Sequence, residues 1–126
     1  MNKIKYLIVG ILVVIITFGC DNVSYAEPIA DIKTLTAEEA KIELESDDSI
    51  VLLDVRYQEE YDKSNLVGSI LIPLDELLTR INEEVPNKNT RIFVYCQSGK
   101  RSEYASDILV SLGYKNIYNV EGLDYW

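Results

Sequence analysis

The residues best equipped for chemistry lie together in Cys96-Gln97-Ser98-Gly99-Lys100-Arg101-Ser102. A thiolate, not a thiol, is the attacking form of cysteine, so what matters is what favours the charged state. Gly99 permits a tight curl in which successive backbone N–H groups point inward and form a nest for an anion. A helix beginning near Arg101 adds the positive end of its dipole, and Ser102 is placed to cap its free amides. Lys100 and Arg101 supply local positive charge in an otherwise acidic chain. All of these lower the Cys96 pKa below the value of about 8.5 for a free cysteine. The same cradle suits a terminal sulfur bonded to Cys96, or an oxyanion beside it. Such sulfur chemistry needs no general base. A serine in this place would need one, and the chain contains no histidine to serve.

The elements that must position this segment are legible around it. Arg91–Tyr95, apolar from Ile92 onward, has the mark of a strand buried on both faces, and it delivers Cys96 at its end. Ala105, Ile108, Leu109 and Leu112 form the stripe of a following helix, with Gly113 at the C-cap. Ile50–Asp54 and Ser69–Ile72 repeat the strand character, and Ile117–Val120 is a weaker copy. Leu74, Leu77, Leu78 and Ile81 make a second helical stripe, expected to face the core. Thr36-Ala37-Glu38-Glu39 is a capping box that starts a helix to about Glu45. Short buried strands alternating with helices imply an α/β domain, a small, mainly parallel sheet of about four or five strands with helices on both faces. Ligands in such folds sit beyond the C-terminal strand ends, which singles out the segments after Asp54 and after Tyr95.

The 126 residues suffice for one domain and one core. The absence of histidine removes Cys-His and Ser-His-Asp catalysis and His-ligated metals, and two cysteines cannot build a four-thiolate zinc site. No cofactor or metal is expected. A formal net charge of −9 gives no electrostatic case for nucleic acid, which requires a basic face. The first residues differ in kind: Lys3 and Lys5 precede an uncharged apolar run, Tyr6–Phe18, that ends in Gly19-Cys20. As a helix this run rises roughly 20 Å, short of the ~30 Å hydrocarbon core, so it reads as an export signal rather than a permanent span. The expected organisation is a signal over 1–20, a polar tether over 21–31 containing Pro28, and a domain over 32–126. Gly19-Cys20 resembles the lipobox of bacterial lipoproteins, although Thr17 and Phe18 depart from its usual residues. That resemblance implies lipidation of Cys20 and a place on the outer face of the cell membrane, with Cys96 left as the free thiol. The alternatives are an ordinary signal peptide or an uncleaved anchor, with Cys20 a plain apolar residue.

Tyr95 to Ser102 is similar to the active loop of single-domain rhodaneses. Leu53-Asp54-Val55-Arg56 with Glu59-Glu60-Tyr61, then Gly68–Leu74, resemble that family's upstream motifs, and Gly113-Tyr114 with Gly122–Trp126 its closing ones. The resemblance implies a rhodanese-like fold and a sulfurtransferase. Cys96 would take sulfur as a persulfide from a small anionic donor such as thiosulfate and pass it to a thiol or cyanide-like acceptor. Gln97, Ser98, Gly99, Lys100, Arg101 and Ser102 would hold the persulfide through their amides, and Arg101, with Lys100, would attract the donor. Asp54 would support the loop, while Arg56 would pair with Glu60 to hold the local turn; plain structural ion pairs are the alternative for these three. Where the family often has Gly-His-Ile, Ser64-Asn65-Leu66 stands here, with Asn65 taking over the hydrogen bond of the histidine. Two other functions stay open. One is a tethered persulfide carrier or partner-binding module without turnover. The other is a phosphatase or arsenate reductase, against which the six residues from Cys96 to Arg101 count, since those enzymes have a loop one residue longer.

Overall fold

The computed structural model describes residues 30–126, so the signal over 1–20, Cys20 and nearly all of the tether over 21–31 lie outside the described residues. Five strands, β1 (Lys33–Leu35), β2 (Val51–Asp54), β3 (Ile70–Leu71), β4 (Arg91–Tyr95) and β5 (Asn116–Val120), form one sheet in the order β1-β5-β4-β2-β3. Every pairing is parallel. The helices are α1 (Ala37–Ser46), α2 (Gln58–Lys63), α3 (Leu77–Glu84) and α4 (Lys100–Ser111), with single 3-10 turns at Leu74–Glu76 and Leu123–Tyr125.

Strand alternation divides the core in two. Leu53, Ile92, Val94 and Ile117 face one cluster, filled by Leu77 and Ile81 of α3 and by Ala105 and Leu109 of α4. Leu52, Phe93, Tyr95 and Val120 face the other, with Ala40 of α1 and the partly buried Leu44 and Trp126. Helices thus cover both faces, which a parallel sheet requires. The capping box forms as expected: the Glu39 N–H donates to Thr36 Oγ1 at 3.2 Å and the Thr36 N–H to Glu39 Oε2 at 2.9 Å. Helix α4 ends in a Schellman motif, with the Gly113 N–H on the Val110 carbonyl, the Tyr114 N–H on that of Leu109, and Gly113 at φ +91°.

One stripe is corrected. Leu77 and Ile81 are buried and Leu74 packs against them, but Leu78 is 59% exposed. The chain winds as a 3-10 turn through Leu74–Glu76 before the α-helix begins at Leu77. Three residues per turn instead of 3.6 break the register on which the four-residue stripe depends.

One register pair and one backbone hydrogen bond set the functional end of the sheet. Asp54 lies opposite Tyr95 where β2 and β4 end, and the Val55 N–H donates to the Tyr95 carbonyl at 3.2 Å. The two segments singled out in the sequence therefore leave the sheet side by side.

Candidate active site around Cys96

Cys96 follows the last residue of β4 and is 1% exposed. Its sulfur accepts the Gly99 N–H at 3.1 Å and the Ser102 N–H at 3.4 Å, and the Ser102 hydroxyl lies 3.5 Å away. The curl depends on Gly99, whose φ of +99° is in the left-handed region; space is not the reason, since a Cβ there would meet nothing. Burial pushes the Cys96 thiol up, but its hydrogen bonding with the Ser102 hydroxyl and with the amides of Ser102, Gly99 and Arg101 outweighs it, leaving the pKa below the ordinary cysteine value.

Ser102 differs from the expectation that it would cap α4. Gly99 is the N-cap residue, and no side chain caps the helix. The Ser102 hydroxyl instead donates to the Gly99 carbonyl at 3.0 Å, while the Ser102 amide goes to sulfur. Cys96 Sγ thus takes the place of a capping oxygen, because it lies directly beneath the first turn of α4. A sulfur that accepts helix-terminal amides is held where the dipole favours negative charge.

The supporting pairs are redistributed. Arg56 pairs with Asp54, not with Glu60: Nη2 reaches Oδ2 at 2.8 Å and Nε lies 3.1 Å from both carboxylate oxygens. The Arg56 amide also donates to Asp54 Oδ1 at 2.9 Å. Arg56 precedes α2 and is not part of it, so the spacing of four from Glu60 does not bring the two onto one helix face. Both members of the Asp54–Arg56 pair are buried, and Arg56 spends a further N–H on the Ser64 carbonyl at 2.6 Å. A long contact at 3.5 Å joins Arg56 Nη1 to Gln97 Oε1, so this pair braces the active loop.

Glu60 binds Arg101 in two-pronged fashion, Oε2 to Nη1 at 2.7 Å and Oε1 to Nη2 at 2.8 Å. The guanidinium also lies over the Tyr57 ring, 5.5 Å from its centroid. The Arg101 hydrogen bonds draw the Glu60 pKa down to about 2. Asn65 does not act on the loop: its Nδ2 donates to the Tyr61 carbonyl at 3.0 Å. Arg56 reaches this segment through the Ser64 backbone, a contact indifferent to the side chains there.

The sequence analysis missed the brace beneath the loop. The Leu123 N–H donates to the Cys96 carbonyl at 3.0 Å, and Gln97 Nε2 to Asp124 Oδ1 at 2.6 Å. A Cβ on Gly122 would stand 2.1 Å from the Gln97 carbonyl oxygen, so this glycine is required by close approach. On the far side of the loop, Ser98, Gly99, Lys100, Asn119 and Tyr125 line an open groove of about 300 Å³. Among the described residues, no cluster of three or more His, Cys, Asp or Glu side chains could hold a metal.

A tight loop at the end of a parallel sheet, closing its amides on one thiol, defines an α/β domain with a cysteine-centred site. The family model for the rhodanese-like domain matches residues 36–126, and the chain belongs to that family. It is 38% identical over 102 residues to YrkF of Bacillus subtilis, named as a sulfur carrier protein, covering 80% of this chain and 54% of that one. It is 42% identical over 71 residues to the thiosulfate sulfurtransferase PspE of Escherichia coli, covering 56% of this chain and 68% of that one. The chain thus spans about half of YrkF and two thirds of PspE. Among solved structures, a rhodanese with anions from E. coli aligns with a TM-score of 0.59 at 39% identity, over 61% of this chain and 91% of that one. A thiosulfate sulfurtransferase from Pseudomonas aeruginosa aligns at 0.68 and 31% identity, over 75% of this chain and 18% of that one.

Proposed function

We propose that the protein is a sulfurtransferase in which Cys96 carries the sulfur between donor and acceptor. The observation that carries this reading is the pair of backbone N–H groups, of Gly99 and Ser102, that close on Cys96 Sγ, with the Ser102 hydroxyl beside it. With thiosulfate, the Cys96 thiolate attacks the outer sulfur, the S–S bond breaks, and sulfite leaves with the bonding pair. The terminal sulfur of the resulting persulfide carries the negative charge, which N–H donors of this loop would stabilise. Cyanide or a thiolate acceptor then attacks that sulfur, and the Cys96 thiolate leaves. Charge is conserved at each step, so neither needs an acid or base. Similarity to PspE supports thiosulfate as a donor.

A second reading is a persulfide carrier that hands sulfur to a partner protein, supported by the similarity to YrkF. A phosphatase reading is disfavoured, because both ends of the Arg101 guanidinium are given to Glu60 instead of to the loop centre. For the leader, the reading remains export and lipid attachment at Cys20, placing the domain outside the cell membrane.

The test is thiocyanate formation from thiosulfate and cyanide, with Cys96→Ser as control. Sustained turnover that vanishes in the variant fits the enzyme. Loading of one sulfur equivalent followed by slow release fits the carrier, and no sulfur uptake by the folded protein refutes both.

A further inference from the structure

The site presents less positive charge than its sequence suggests. Arg101 is bound at both ends by Glu60, and Arg56 is neutralised by Asp54. Glu60 is itself held from two sides, since its Oε2 also accepts the Tyr57 N–H at 3.0 Å and so is fixed to the first turn of α2. The guanidinium also lies over the Tyr57 ring. Arg101 is nonetheless near enough to the sulfur for a Cys96 thiolate to strengthen its hold on its protons. Lys100 makes no ion pair among the described residues, but it is exposed, and Glu103 and Asp124 flank the loop with opposite charge.

We propose that Glu60 is a specificity-determining positioning residue, which masks the Arg101 charge and sets the Cys96 site against doubly charged donors. Glu60 touches neither donor nor sulfur. It holds Arg101 in a neutral pair at the rim, so a donor arrives at Cys96 without a free guanidinium to meet it. The favoured donor is a sulfane sulfur on a singly charged or neutral group, such as a persulfide of a small thiol, over the thiosulfate dianion. This rests on the sulfurtransferase reading for its donor, but the charge masking is measurable without any sulfur transfer.

The experiment compares alkylation of Cys96 by anionic iodoacetate and neutral iodoacetamide in the full chain, wild type against Glu60→Gln, at a pH where Cys96 is ionised. The ratio of the two rates cancels changes in thiol reactivity. Glutamine keeps the shape and a hydrogen bond to Arg101 but removes the charge, so the ratio should rise about five- to tenfold, the order expected for one unmasked charge acting on an anion through largely aqueous surroundings. Glu60→Asp, which retains the charge, should restore the wild-type ratio. A merely structural brace would alter both rates together and leave the ratio unchanged, which overturns the inference, as would a thiol that reacts with neither reagent. In turnover with thiosulfate, Glu60→Gln should lower KM severalfold with kcat within about twofold, as expected for a change in donor binding alone. A shifted alkylation ratio in a protein that takes up no sulfur would preserve the masking and refute the sulfurtransferase reading.

Discussion

At the scale of single residues, Cys96 is governed by opposed effects: burial favours the neutral thiol, and the loop amides with the neighbouring Ser102 hydroxyl favour the thiolate. The donors prevail, so alkylation of Cys96 followed against pH should reach half its plateau below the value of about 8.5 for a free cysteine. Ser102→Ala removes the hydroxyl beside the sulfur and should move that midpoint upward, by up to about one pH unit if the hydrogen bond contributes about 1 kcal/mol. An unchanged midpoint would mean that the amides alone set the ionisation. Glu60, at about 2, stays charged at any pH where the protein would be assayed. Its folded pKa is depressed, so its contribution to stability is present above its unfolded value, about 4.3, and is lost as pH falls toward 2. Acid titration of stability in Glu60→Gln should therefore show a shallower loss between about pH 4 and pH 2 than in the wild type. The chemistry of Cys96 was legible because a glycine and two basic residues follow it in sequence. The partner of Arg101 was not, because Glu60 lies 41 residues away and is also four residues from another arginine.

At the scale of elements, the site is held by what two segments do at the end of the sheet. The buried Asp54–Arg56 pair ties the turn after β2 to Ser64 and Gln97, and the turn at Leu123–Tyr125 supports the Cys96 and Gln97 carbonyls. Asp54→Asn leaves a buried guanidinium without its counter-charge and should destabilise the domain by about 3–5 kcal/mol, read as a fall in melting temperature. Gly122→Ala must displace the Gln97 carbonyl; we expect a loss of about 1–3 kcal/mol with a larger fall in sulfur transfer than in stability. A Gly122→Ala protein with full activity would contradict the bracing role of that turn. β4 was readable to the residue, since its four apolar positions, Ile92 to Tyr95, are uninterrupted. β1 was not, because it is three residues long, two of them exposed, and exists through pairing with Tyr118–Val120 far along the chain. α2 is only six residues with no buried side chain, too short to show a stripe.

At the scale of the whole molecule, the acidic surface and the proposed lipid anchor act on where the domain works and not on its chemistry. Cys20→Ser should move the protein from the membrane pellet to the soluble fraction of the producing cell, without changing the turnover of the domain. Retention in the pellet would favour an uncleaved anchor over lipidation. The number of layers and the parallel sheet could be foreseen from apolar runs alternating with helical stripes, since burial on both faces leaves little choice of architecture. The strand order could not, because β1 and β3 carry too few residues to announce their neighbours.

The most direct test of the central claim is the intact mass of the purified domain before and after exposure to thiosulfate. The account predicts a gain of one sulfur, about 32 Da, that cyanide removes as thiocyanate and that Cys96→Ser does not acquire. An unchanged mass in a folded protein with a free Cys96 thiol would contradict it.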